Sequence, residues 1–288
     1  MGQGGSVMVM VLALTILLIS LAGGFLYATG VFIGNSGWEE TDAQVLWLAE
    51  AGMQKAVWNL KTPAGSGGQG ESWTTVGTTQ NLGGGTYTMV VERWDFALAS
   101  NGATASDNPA QTNSSIGPAK AIDGDNSTYW ESHGQPGEEE DDNDGPQDLI
   151  ITFPYTLTLN KVHFVSPSSG ARPTDYSWDV SSDGVTYTTV LTVSNNGATD
   201  VTDTFSVAAN PAAASVKYLR LRTTRDGPGN PQRVRISLLE AIGSRVTSTG
   251  TVTVSGNNYT RSVRQAFVTD DASPQNQVAY KEPDWLEL

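Results

Sequence analysis

A chain of 288 residues is long enough for two ordinary domains, each with a core of its own. Its 30 acidic and 16 basic residues leave a net charge of −14, which argues against a surface built to bind nucleic-acid phosphates. The lack of cysteine excludes disulfides, thiolate metal sites and thiol nucleophiles, and two histidines, His133 and His163, leave little for histidine-based catalysis.

From Ser6 to Ile33 there is no charged residue. About 28 helical residues at about 1.5 Å each outspan the ~30 Å hydrocarbon core of a bilayer, so 6–33 is predicted to be a transmembrane helix. A secretory signal would have a basic leader and a shorter apolar run. The apolar stretch runs on into an amphipathic half, 34–61. There Leu46, Ala49, Met53, Ala56, Val57 and Leu60 recur at helical spacing, while Glu50, Gln54, Lys55 and Asn59 fall mainly elsewhere. Gly23, Gly24, Gly30, Gly34 and Gly37 each cost roughly 1 kcal/mol relative to alanine. One very long helix with a weak middle is expected; a simple single-span anchor is the alternative.

The Pro/Gly/Ser stretch 62–71 ends the helix, and 85–94 reads as a strand. A lone strand cannot bury itself. Its partners in sequence lie far downstream, at 245–254 and 259–268, joined by a hairpin connection at 255–258. The roughly 150 residues between exceed any ordinary loop, so 97–243 is predicted to be an inserted domain. Within it, 149–153, 161–165, 176–180, 187–193, 217–222 and 233–240 read as short strands separated by turn residues, the pattern of an antiparallel sandwich. Leu219 and Leu221 are expected to face inward and Arg220 and Arg222 outward, as a solvated face or an anion site. Trp130 and Trp178 are expected in the core. The run 138–144 holds six carboxylates, either a solvated block or a cation site. In 120–128, Asp123, Asp125 and the Thr128 hydroxyl offer the hard oxygens that Ca²⁺ prefers, unless the segment is simply an Asp-Gly turn.

The flanking parts resemble minor type IV pilins and pseudopilins, on the charge-free helix, the stretch 49–60 and the strands at 85–94, 245–254 and 259–268. The resemblance implies a leader, 1–5, cut by a prepilin peptidase between Gly5 and Ser6. It also implies partners among other pilin subunits and the inner-membrane assembly machinery. Met10 stands where most major pilins carry a glutamate, a departure shared with subunits assigned to filament tips. The insert resembles the discoidin, or coagulation-factor type C, family, which shares its jelly roll with family 32 carbohydrate-binding modules. The segments that carry this are 97–106, 121–130, 175–190, 217–225 and 236–243, in the family's order.

That second resemblance implies a structural Ca²⁺ site from the Lys120 and Leu239 carbonyls with Asp123, Asp125, Thr128 and Glu240. It also implies ligand contacts from loops at one end of the sandwich, with His133, Arg172 and Asn230 as candidates. The expected fold class is α+β: a transmembrane pilin helix and small antiparallel sheet (62–96 and 244–288) interrupted by an all-β, galactose-binding-like jelly roll. The expected protein is not an enzyme. It is a minor pilus subunit carrying a glycan- or surface-ligand-binding module from the bacterial inner membrane to the cell surface. Alternatives are a pseudopilin-like secretion component whose head binds protein cargo, and a membrane-anchored carbohydrate-binding protein.

Overall fold

The computed structural model describes residues 3–108, 110–111, 113–132, 146–225, 233–267 and 279–280, with side chains for all of these except 3–17, 19, 28–38, 225 and 279–280. Helix α1 (Gln3–Lys61) runs unbroken over 59 residues. Fourteen strands follow among the described residues: β1 (Thr75–Leu82), β2 (Gly85–Asp95), β3 (Thr104–Asn108), β4 (Trp130–Glu131), β5 (Gln147–Leu157), β6 (Lys161–Val165), β7 (Asp175–Ser181), β8 (Thr188–Val193), β9 (Asp200–Thr204), β10 (Val216–Arg225), β11 (Arg235–Ile236), β12 (Leu238–Val254), β13 (Asn257–Phe267) and β14 (Ala279–Tyr280).

The second half of α1 lies on an antiparallel sheet ordered β1-β2-β12-β13-β14. Val45, Leu48, Ala49, Met53, Ala56 and Leu60 form the helix side of that core, against Tyr87, Met89, Val91, Val246, Val252, Val263 and Phe267. Leu46 and Val57, expected within the stripe, stand half-buried at its edges. The helix can approach closely because the seam is built of small residues. A Cβ on Gly250 would overlap the Val45 carbonyl oxygen and lie 2.8 Å from Ala49 N. The connection between β12 and β13 is tighter than expected: a two-residue turn with positive φ at both Ser255 (51°) and Gly256 (83°), which matches the right-handed strand twist.

The insert is a sandwich. One face is the five-stranded sheet β3-β5-β10-β7-β8; the other is formed by β9, β6 and the start of β12. Alternation along β10 sends Leu219 and Leu221 inward, both fully buried. They pack with Trp130, Trp178, Leu149, Ile151, Phe153 and Phe164 in one core. Burying each such side chain is worth about 1.5–3 kcal/mol.

The two parts share a strand. Residues 238–241 of β12 pair with β6 in the sandwich. From Ile242 onward the same strand pairs with β2 and then also with β13. The expected boundary between 243 and 244 therefore falls inside continuous β structure. Gly243 meets a packing need there, since a Cβ on it would overlap the Phe96 ring.

Among the described residues no helix is long and apolar enough to cross a membrane. The predicted span 6–33 falls mostly on positions whose side chains lie outside the described residues. Where they are described, Leu18, Leu21, Phe25, Leu26 and Tyr27 are all exposed.

Candidate functional site: the loop end of the inserted sandwich

Strand register gathers the candidate loops at one end of the sandwich. Gln147, the first residue of β5, pairs with Thr223 near the end of β10, and Asp175, the first of β7, pairs with Arg225. The described segment 166–174 therefore leaves from that end, where the strand ends at Gln147 and Arg225 also lie. His133 and Asn230 lie outside the described residues, but their stems are joined. Strand β4 pairs with β11 through Glu131↔Arg235 and Trp130↔Ile236, and Ser132 N–H donates to the Val234 carbonyl at 2.8 Å. Under this ribbon the buried Glu131 carboxylate accepts from Arg233 Nη1 (2.7 Å) and Arg235 Nε (2.5 Å), and Arg235 also lies over the Tyr129 ring at 5.1 Å. Those arginines read in the sequence only as part of a strand.

Arg172 stands at the same end, three residues before β7. Its guanidinium donates to the Asn196 carbonyl (3.0 Å) and to the Ser169 carbonyl, so it ties two loops together. Asn196 completes the tie by donating to Pro173 and Ala198 carbonyls.

The opposite end joins the helix-bearing sheet. Strand β6 begins there with Lys161, which pairs with Glu71 from the segment after α1. Asp95 sits at the crossing. Its Oδ1 accepts from Ala97 N–H (2.8 Å) and Ala241 N–H (2.9 Å), fastening both chain passages into the insert. Burial pushes the Asp95 carboxyl up to about 7, against the pull of these two N–H donors. Nearby, Glu240 accepts from Arg93 Nη2 (2.6 Å) and lies 2.6 Å from His163 Nδ1, while His163 Nε2 meets Asp200 Oδ1 at 2.8 Å. The Glu240 hydrogen bond is the main reason the imidazole pKa rises.

The loop 120–128 partly fits a hard cation. Thr128 Oγ1 lies 2.8 Å from Asp123 Oδ2, 3.1 Å from the Asp125 carbonyl and 3.5 Å from the Lys120 carbonyl, so four oxygens converge. Asp125 points elsewhere with its carboxylate, accepting from Ser127 hydroxyl and N–H; these bonds hold its pKa below the usual range. Glu240 is engaged by Arg93 and His163, and Leu239 pairs with Phe164 in the ladder. Among the described residues no three His, Asp or Glu side chains are grouped to hold a metal ion. The loop thus supplies oxygens of the right chemistry, and Glu240 is not shown among them.

The outward arginines form a paired face. Arg220 donates from Nε (3.0 Å) and Nη2 (2.7 Å) to Asp179 Oδ2, approaches Asp148 Oδ2 at 3.4 Å and stacks on Tyr187 at 4.1 Å. Burial raises the Asp148 pKa. An arginine so fully engaged by carboxylates favours the reading as an ionic face over an anion site. The acidic run 138–144 lies outside the described residues.

Residues 102–237 match the F5/8 type C domain family. No curated protein matches the chain. Among solved structures, the chain is similar to chitosan-binding module 1 of a chitosanase/glucanase from Paenibacillus sp. IK-5, at 22% identity over 52% of this chain and 98% of that one, with a TM-score of 0.40. A family 32 module of Clostridium perfringens in complex with GalNAc-β-1,3-galactose is 19% identical over 51% of this chain and 98% of that one, TM-score 0.40. The family 32 module of Streptococcus pneumoniae EndoD is 13% identical over 51% and 97%, TM-score 0.40. The family match thus covers most of the insert, and the segment 166–174 at the loop end lies within the matched residues.

Proposed function

We propose that this protein is a minor subunit of a type IV pilus or related filament, and that its inserted domain binds a glycan or another surface ligand at the loop end. The observation that carries the reading is the polarity of the molecule. Asp42 of α1 pairs with Arg261, and Gln44 lies beside Gly84, so the N-terminal side of the helix meets the turn end of the sheet. The last turn of α1 and the Glu71–Lys161 pair lie at the other end, where the insert joins. The described segment 166–174 and the strand ends at Gln147 and Thr223 sit one sandwich length farther away. An apolar helix held in a membrane or a filament would thus carry the loop end outward.

The glycan reading is supported by the F5/8 type C match to 102–237, whose jelly roll, by the sequence resemblance, is shared with family 32 carbohydrate-binding modules. The filament reading is supported by the charge-free segment 6–33, by the exposed Leu18, Leu21, Phe25, Leu26 and Tyr27, and by the helix-on-sheet core. Within the same proposal, Lys120, Asp123, Asp125 and Thr128 hold a structural Ca²⁺. Calcium should raise the melting temperature of the full chain and Asp123→Ala should abolish that rise; no response to calcium or chelator in the parent chain would remove the ion from the account.

A glycan array probed with the full chain in detergent micelles tests the function. Retention of defined sugars supports it. A blank array, together with capture of a secreted protein by the same chain, would favour a secretion-system subunit.

A further inference from the structure

Among the described residues, β13 is paired along its whole length on one side and only at its end on the other. On the first side β12 pairs with all of Asn257–Phe267. On the second, β14 meets Ala266 and Phe267, and no other described strand meets the edge from Asn257 to Gln265. The β12–β13 turn closes on the pair Val254↔Asn257, which in a two-residue hairpin exchanges both hydrogen bonds. The odd-numbered residues of β13 therefore bond to β12. Thr249↔Ser262 is accordingly a non-hydrogen-bonded pair, with its hydroxyls 2.7 Å apart. The N–H and C=O of Asn258, Thr260, Ser262, Arg264 and Ala266 point the other way, out of the β12 ladder. Val263 packs on the α1 side of the sheet, so Arg264 beside it faces away from the helix. The Arg264 Nε is buried and has no hydrogen-bond partner among the described residues.

We propose that the segment 281–288 of this chain, which lies outside the described residues, docks on this edge as a continuation of β14. Three features select that segment as the occupant. The first is register. β14 is antiparallel to β13 through Phe267↔Ala279 and Ala266↔Tyr280. Continued without a bulge, the same register sets Arg264 opposite Glu282, Ser262 opposite Asp284, Thr260 opposite Leu286 and Asn258 opposite Leu288. The second is the place of the proline. Even-numbered residues of the segment aim their N–H groups at β13, whereas Pro283, opposite Val263, turns its missing N–H toward solvent, where an edge strand tolerates it. Proline also biases the preceding Glu282 toward extended backbone. The third is charge. Glu282 falls on the face that carries Arg264 and brings a carboxylate to the unsatisfied guanidinium. Lys281, Glu282, Asp284 and Glu287, with Pro283, then give the new outer edge the residues that discourage pairing with a further strand. The contact is independent of the ligand at the loop end, and its failure leaves the proposed function untouched.

The chain has no cysteine, so one engineered pair of thiols reports one contact. The full chain in detergent micelles carries Leu286→Cys with Thr260→Cys, or Leu286→Cys with Thr79→Cys as control, and is oxidised under mild conditions. In the proposed register residues 260 and 286 bring their Cα atoms to about 5.5 Å, within disulfide reach. Thr79, on β1 at the opposite edge, is four strand spacings away, about 19 Å. The intramolecular disulfide is expected to form at least ~10-fold faster in the first pair than in the control. Adding Asp284→Pro removes an N–H aimed at β13 and should slow the first pair to the control's rate. Equal rates for the two pairs, or a first-pair rate unaffected by Asp284→Pro, would overturn the proposal.

Discussion

Asp95 concentrates the problem of joining two folded parts into one carboxyl. Its Oδ1 serves Ala97 and Ala241 N–H at once, and burial raises its pKa from the ordinary 3.8 to about 7. The folded chain therefore binds this proton more tightly than the unfolded chain. The stabilisation is fully present below about pH 3.8 and is lost as pH rises through about 7. His163, whose pKa is also raised, adds a loss in the same direction from pH 6.5 upward. Urea-unfolding midpoints of the full chain should fall between pH 5 and 8, and Asp95→Asn, which keeps an acceptor for both N–H groups, should flatten most of that slope. A shift of about three units corresponds to an upper limit on the order of 4 kcal/mol. None of this was legible in the sequence, where Asp95 is one acid after a strand; its role arises from a contact 146 residues away.

At the scale of elements, the sequence pattern found most strands that bury a face, but β4, with both residues buried, was not read as a strand, and 233–240, expected as one strand, divides at Ser237 into β11 and the start of β12. The strands β6, β7 and β10 bury alternate residues, and Leu219 and Leu221 turn inward as that alternation requires. β1, β3 and β9 escaped notice because they are largely polar, exposed runs such as Asp200–Thr204, whose pairing is decided by neighbours and not by burial. Gly243 was read only as the last residue of the insert. In sequence it separates two strand-like runs, yet in the fold it makes room for Phe96 within one strand. Gly250 makes room for the helix in the same way. Gly250→Ala should destabilise the full chain by about 1–3 kcal/mol, because the added methyl must displace the α1 backbone. The urea midpoint reads this directly, and an unchanged midpoint would mean that the helix does not rest on β12 as described.

The whole molecule is organised along one axis: apolar helix, helix-on-sheet body, joint, sandwich, loops. Legibility divides along that axis too. The sequence indicated an insertion, 97–243, between two halves of a host, and in the fold one strand, β12, pairs with strands of both parts. It placed His133, Arg172 and Asn230 in loops at one end only through the resemblance; of the three, Arg172 is among the described residues, and the register of β5, β7 and β10 shows which end its loop leaves from. Conversely, Glu240 was assigned to the calcium set through resemblance alone, and its position on β12 gives it to Arg93 and His163.

Under the proposed function, the loop end binds its ligand while the helix is embedded. The most direct measurement is glycan binding by the full chain reconstituted in lipid nanodiscs. The account predicts binding that falls at least ~10-fold in His133→Ala or Asn230→Ala, about 1.4 kcal/mol, and stays unchanged in Arg222→Ala on the ionic face. A nanodisc-bound chain that retains no glycan, or one whose binding is lost with Arg222→Ala and kept with both loop variants, would contradict it.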